Sequence, residues 1–232
     1  MNTKRDPARV LVAGHAGADR PRVLLTLQRA GLEIDERAEP ARLAGVARPR
    51  LVVLDDAVPA EKQAATQQRL REHPALRGVP LVVLSHSGGI DSFGSAFARG
   101  ASAHLGRPLD EAVLWDVVTR LLAWRGPTLP SARQTPRRAL VLEVAVEVPQ
   151  RGWQRGQILE VSASGCRLTL RGQVAPGMRL GIVPVWQQQS TEIRLGGSVR
   201  WCRREPVGSF LAGVRWSATG GVVVRRLFGL PS

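Results

Sequence analysis

Apolar residues in the first half of the chain come in short unbroken runs, separated by stretches with helical spacing. Arg9–Ala13 (RVLVA), Leu51–Leu54 and Leu81–Leu84 (LVVL in both) and the weaker Ser102–Leu105 predict strands buried on both faces. Pro21–Ala30 places Val23, Leu24, Leu27 and Ala30 on one stripe, with Gly31 as a stop signal. Ala60–Glu72 reads as a polar helix. Asp110–Trp124 reads as an amphipathic one, with Leu114, Val117, Val118, Leu121 and Leu122 on its apolar face and Asp110 as N-cap. Buried strands alternating with helices predict a doubly wound α/β domain built on a parallel sheet of about five strands.

The pattern breaks at residues 126–136 (GPTLPSARQTP), where three prolines among small polar residues predict a linker. Beyond it the period changes from helical to two. Leu140, Leu142, Val144, Val146 and Val148 alternate with Glu143, Ala145 and Glu147, and Cys166, Leu168 and Leu170 alternate with Arg167, Thr169 and Arg171. Further short runs follow at Gly181–Trp186, Ser198–Arg203 and Phe210–Trp216. Short alternating strands punctuated by Gly and Pro predict a small antiparallel β-barrel, with a short last helix near Val222–Leu227. The expected division is therefore 1–125, an α/β domain; 126–136, a linker; and 137–232, a barrel. Trp153, Trp186 and Trp201 are expected in the barrel core or at its ends.

Charge sharpens this division. Of a net +14, residues 131–232 supply +10, from 15 arginines, no lysine and five glutamates. Arginine forks match phosphates and purine edges, so the second half is suited to an anionic partner. Two cysteines, Cys166 and Cys202, make no disulfide framework. No apolar run reaches a membrane-spanning length and the N-terminus lacks a secretory h-region, so a cytoplasmic protein without membrane insertion is expected. His15, His73, His86 and His104 show no metal-ligand spacing, and no acid, base and nucleophile set can be assembled. The expectation is a binding protein without a metal, not an enzyme. No helix-turn-helix, zinc or aromatic RNA-binding pattern supports nucleic acid as the partner.

The segment LVVLDDAVP (51–59) resembles the phosphorylation loop of response-regulator receiver domains, and the resemblance covers roughly residues 8–125. It implies that Asp55 stands at the phospho-acceptor position and Pro59 four residues on. Ser85 then ends the fourth strand, Arg107 stands where the family has Lys, and His104 falls at the aromatic switch position. The family's acidic pair for Mg²⁺ is absent: Gly14 and His15 occupy those places. The resemblance thus implies a receiver fold that does not take up phosphate and serves as a docking or dimerisation scaffold, with a homodimer as one outcome.

After the linker, RQTPR (133–137) and EVSASG (160–165) resemble the two motifs of the PilZ domain, RxxxR and D/N-x-S-x-x-G, over roughly residues 131–230. Glu160 replaces the family's Asp or Asn. The resemblance implies a receptor for cyclic di-GMP, with Arg133, Arg137 and the neighbouring Arg138 on phosphates and guanine edges. Ser162 fixes the turn or bonds the ligand, Gly165 allows close approach, and Glu160 accepts from a guanine edge. It further implies a signalling role, associated in this family with motility, exopolysaccharide or development, relayed through an unidentified protein partner. A nucleotide-blind adaptor working by protein contacts alone is the alternative.

Overall fold

The computed structural model describes residues 8–37, 47–55, 58–85, 90–124, 137–186, 189–190, 193–206 and 208–230. It separates into two compact units, Met1–Ser92 with Arg99–Ala123, and Phe93–Ala98 with Trp124–Ser232.

In the first half, β1 (Arg9–Ala13), β2 (Glu33–Arg37), β3 (Leu51–Asp55), β4 (Leu81–Ser85) and β5 (Ala103–Gly106) form one parallel sheet in the order β2-β1-β3-β4-β5. They alternate with α1 (Arg20–Arg29), α2 (Ala60–Glu72), α3 (Ile90–Ala98) and α4 (Glu111–Ala123). This is the doubly wound order of flavodoxin-like folds, to which receivers belong. The unbroken apolar runs become the central strands: every residue of β3 and β4 is buried. Asp110 caps α4 as expected, its Oδ1 accepting from the N–H of Ala112 at 2.8 Å. The fifth strand is β2, whose EIDER sequence has one apolar residue and gives no run to read. It pairs with β1 alone, so it is an edge strand, half in solvent and charged along its length. The nine-residue α3 is a second element without a clear sequence signal. In-register pairing brings the strand ends level: Ala13 opposite Leu54, Asp55 opposite Leu84, Ser85 opposite Gly106. Gly14, Asp55, Ser85 and Arg107 thus collect at the carboxyl ends of the strands, where ligands bind in such sheets.

The second half is a closed antiparallel barrel of six strands. β6 (Arg138–Val148), β7 (Gly152–Ser162), β8 (Gly165–Leu170), β12 (Phe210–Trp216), β11 (Leu195–Arg204) and β9 (Arg179–Trp186) pair in that spatial order, and β9 returns to β6. The two-residue β10 (Gln189–Ser190) adds to β9. Inward positions hold Val144, Val146, Ile158, Val161, Cys166, Leu168, Ile182, Leu195, Val199 and Val214, all nearly without exposure. The last helix is longer than expected: α5 runs Ala218–Phe228. It starts at Ser217, whose Oγ accepts from the Gly220 N–H at 3.1 Å, and ends at Gly229 with φ +56°.

Three register shifts interrupt the barrel's alternation, between Ala139 and Leu142, between Ile158 and Glu160, and between Val199 and Trp201. An extra residue at each inverts the face that the strand presents beyond it. Ile158 faces the core opposite Leu168, whereas Glu160, two residues on, faces outward opposite Arg167. Val199 faces the core opposite Val214, whereas Trp201 lies outward over Gly213. Trp201 is therefore 37% exposed and Trp153, beside a tight turn, is 55% exposed. Trp153 thus stands at a barrel end, one of the two placements expected of it, and Trp201 is turned away from the core; the Trp186 side chain lies outside the described residues.

His104 on β5 is buried, and burial, with a smaller contribution from Arg99, lowers its imidazole from 6.5 to about 4. The folded chain thus holds the neutral ring. Stability from this group is complete above about pH 6.5 and is lost as the pH falls towards about 4, by about 3 kcal/mol in all. Chemical denaturation at about pH 7 and about pH 4.5 is expected to show a larger acid loss for the wild type than for His104→Leu.

Candidate functional site

Asp55 ends β3 with a carboxylate that has no solvent exposure, and two guanidinium groups enclose it. Arg20, near the start of α1, donates its Nε to Oδ2 at 2.5 Å and its Nη2 to the carbonyls of Gly14 and Asp55, each at 2.7 Å. Arg107 reaches the other oxygen, Oδ1, from the end of β5. The two arginines are held in turn: Arg20 Nη1 donates to Glu36 at 2.9 Å and Arg107 Nε to Asp19 at 3.3 Å. The arginine side chains are only 4% and 7% exposed. Three carboxylates and two guanidiniums form one connected set, in which each buried group has a partner of opposite sign. Ser85 is buried beside it, and its carbonyl accepts from the Arg107 N–H at 3.1 Å. Arg107 is where the strand order predicted it. Arg20 was not anticipated, because an arginine among the polar residues opening a helix reads as solvated. Asp56 lies outside the described residues. Among the described residues no group of three or more His, Cys, Asp or Glu is placed to hold a metal ion.

The barrel site is built on the outer face of β7, β8 and β12. Glu160 stands between two arginines: Arg137 Nη1 lies 3.0 Å from its Oε2 and Arg167 Nη2 3.0 Å from its Oε1. Here the charges are half open, with side-chain exposures of 30% for Arg137, 34% for Arg167 and 11% for Glu160. Two residues further along β7, Ser162 Oγ lies 3.2 Å from Ser164 Oγ and donates to the Gly165 carbonyl at 3.2 Å, closing the turn into β8. The carbonyl of Ser162 accepts from the Trp216 indole N–H at 3.0 Å, which ties the turn to the core. Gly165 has a strict reason to lack a side chain: a Cβ there would lie 2.2 Å from the Val214 carbonyl oxygen. Pairing extends the site sideways in two rows. One runs Glu160, Arg167, Gly213, Trp201, and the next runs Ser162, Gly165, Arg215, Ser198.

Residues 131–228 match the model of the PilZ domain. This stretch is a PilZ domain. Arg137, the last residue of the RQTPR segment, and the EVSASG turn meet on the outer face just described. No curated protein matches the chain. Among solved structures, a response regulator of Chloroflexus aurantiacus aligns over 51% of this chain and all of its own length, at 21% identity and a TM-score of 0.44. The chemotaxis response regulator CheY4 of Vibrio cholerae aligns over 50% of this chain and 98% of its own, at 23% identity and a TM-score of 0.44. A receiver domain of a histidine kinase from Syntrophus aciditrophicus aligns over 55% and 98%, at 21% and 0.45.

Within the PilZ domain the structure brings together Arg137, Glu160, Ser162 and Gly165. It directs Arg138 elsewhere: Arg138 pairs opposite Val161, one residue out of phase with Glu160, and its guanidinium lies 6.0 Å from the centre of the Phe228 ring. Arg133 lies outside the described residues. Arg167, Arg215 and Trp201 are the additions that the sequence did not yield. Arg167 was visible as the outward partner of Cys166 and Leu168, but its pairing with Glu160 depends on the shift after Ile158.

Two outcomes test this geometry. Asp55→Ala leaves Arg20 and Arg107 buried without their shared anion, and denaturant unfolding should show a loss of about 3–5 kcal/mol in the receiver-like half. Gly165→Ala should cost the barrel about 1–3 kcal/mol by overpacking against Val214, read as a lower thermal midpoint with the far-ultraviolet spectrum retained.

Proposed function

We propose that this is a signalling protein whose PilZ domain binds cyclic di-GMP through Arg133, Arg137 and the Glu160–Gly165 turn. Binding is relayed to a protein partner, and the receiver-like half acts as a scaffold for docking or dimerisation. The observation that carries the reading is the half-exposed Arg137, held at the mouth of the Ser162–Gly165 turn by a carboxylate of that turn. A dianionic, purine-bearing ligand suits such a surface: arginine forks take its phosphates, and the side-chain-free Gly165 lets its rings approach the backbone. The scaffold part rests on the Asp55 pocket. A phosphoryl group needs an exposed acceptor oxygen and a metal to neutralise developing charge. Both Asp55 oxygens are bonded to guanidinium groups, and Gly14 and His15 stand where metal-binding acids are expected.

A specific observation favours a second reading. Each oxygen of Glu160 already faces an arginine, so a guanine edge has to share the carboxylate with two guanidiniums. A PilZ domain closed in this way would act as an adaptor through protein contacts, blind to nucleotide.

Calorimetric titration with cyclic di-GMP separates the two. Micromolar or tighter binding is expected, lost by about 10² to 10⁴-fold in Arg133→Ala/Arg137→Ala, since each charge-assisted bond contributes roughly 1.5–3 kcal/mol. Absence of heat and of thermal stabilisation at high ligand selects the adaptor. For the scaffold, incubation with acetyl phosphate and Mg²⁺ is expected to leave the intact mass unchanged; an adduct at Asp55 would refute it.

A further inference from the structure

The departure at Glu160 and its pairing with Arg167 say more about how a ligand enters. Each arginine holds a different oxygen of one carboxylate, so Glu160 bridges Arg137 and Arg167 as a bidentate anion. A phosphate presents the same bridging pair of oxygens with more charge. Neither arginine is buried, so both can exchange one anion for another at modest cost. The Nε–H of Arg167 is shielded and donates to nothing among the described residues, a donor left unused in the present arrangement. On its far side Arg167 neighbours Gly213, which contributes no side chain, and Arg215 is exposed in the adjacent row. Two guanidiniums therefore hold one carboxylate, and a third arginine, Arg215, stands exposed in the adjacent row.

We propose that Arg167 is a ligand-binding residue of the PilZ site and that the Glu160 carboxylate is its resident stand-in anion, displaced when a ligand phosphate enters between Arg137 and Arg167. In this arrangement Glu160 competes with the ligand, which sets the concentration at which the site responds. It also keeps both forks turned to one point, each 3.0 Å from a carboxylate oxygen. The inference rests on cyclic di-GMP being the ligand.

The test is calorimetry with cyclic di-GMP on the full chain, comparing wild type, Arg167→Gln, Arg167→Lys and Glu160→Ala, each first shown to unfold cooperatively. Arg167→Gln keeps an unbranched stem with a hydrogen-bonding amide and removes the charge, and its cooperative unfolding reports that the barrel is retained. The expected result is about tenfold or greater weakening for Arg167→Gln, partial recovery in Arg167→Lys, and severalfold tightening for Glu160→Ala. If the wild type binds and Arg167→Gln binds equally well, this inference is overturned while the receptor reading stands. If Glu160→Ala weakens binding tenfold, Glu160 is a direct acceptor from the guanine edge and the stand-in role is wrong. If the wild type itself does not bind, the receptor reading has failed and takes the inference with it.

Discussion

A single carboxylate shared by two guanidinium groups is the interaction on which both halves of this chain depend. Asp55 lies between Arg20 and Arg107, and Glu160 between Arg137 and Arg167. The geometry is similar and the surroundings differ. Asp55 is fully buried, the two guanidiniums that hold it are nearly so, and each is tied in turn to a carboxylate nearer the surface. Removing charges from such a place leaves others uncompensated, so the arrangement is a fixture of the fold. Around Glu160 a third of each arginine is in solvent, and ions there exchange at little cost. Burial, not the identity of the residues, decides which set is structural and which is open to a competitor.

The arginine-only character of the barrel strengthens that contrast. Guanidinium stays charged at any physiological pH and offers a planar fork that fits carboxylate and phosphate alike. A lysine in either place would have supplied the charge without the two-pronged grip. The excess of positive charge in residues 131–232 is therefore held in a form that recognises oxyanions by shape as well as by sign.

Most of the fold was legible in the sequence because its period is carried by apolar residues. The runs RVLVA, LVVL and LVVL became β1, β3 and β4, and the alternation after residue 137 became a barrel wall. What was hidden was hidden for physical reasons. The edge strand β2 is charged because only one neighbour covers it, so no apolar signal exists to be read. Glu160 and Trp201 follow core residues by two positions and would share their face in a regular strand; an inserted residue turns each outward. The motif turn at Ser162–Gly165 was visible, since a glycine and two serines carry it locally. Its enlargement through Arg167, Gly213 and Trp201 was not, because those residues meet only across strands distant in the chain.

The closure of the barrel has a mechanical consequence. β6 is hydrogen-bonded to β7 along its length but to β9 only from Val144 to Glu147, so the residues just after Arg137 are held on the β7 side alone. A pull arriving along the chain at Arg137 therefore loads one ladder first and meets the second only at Val144. Tension entering the barrel there is resisted in two stages, by a short stretch that can peel and then by a strand clamped on both sides.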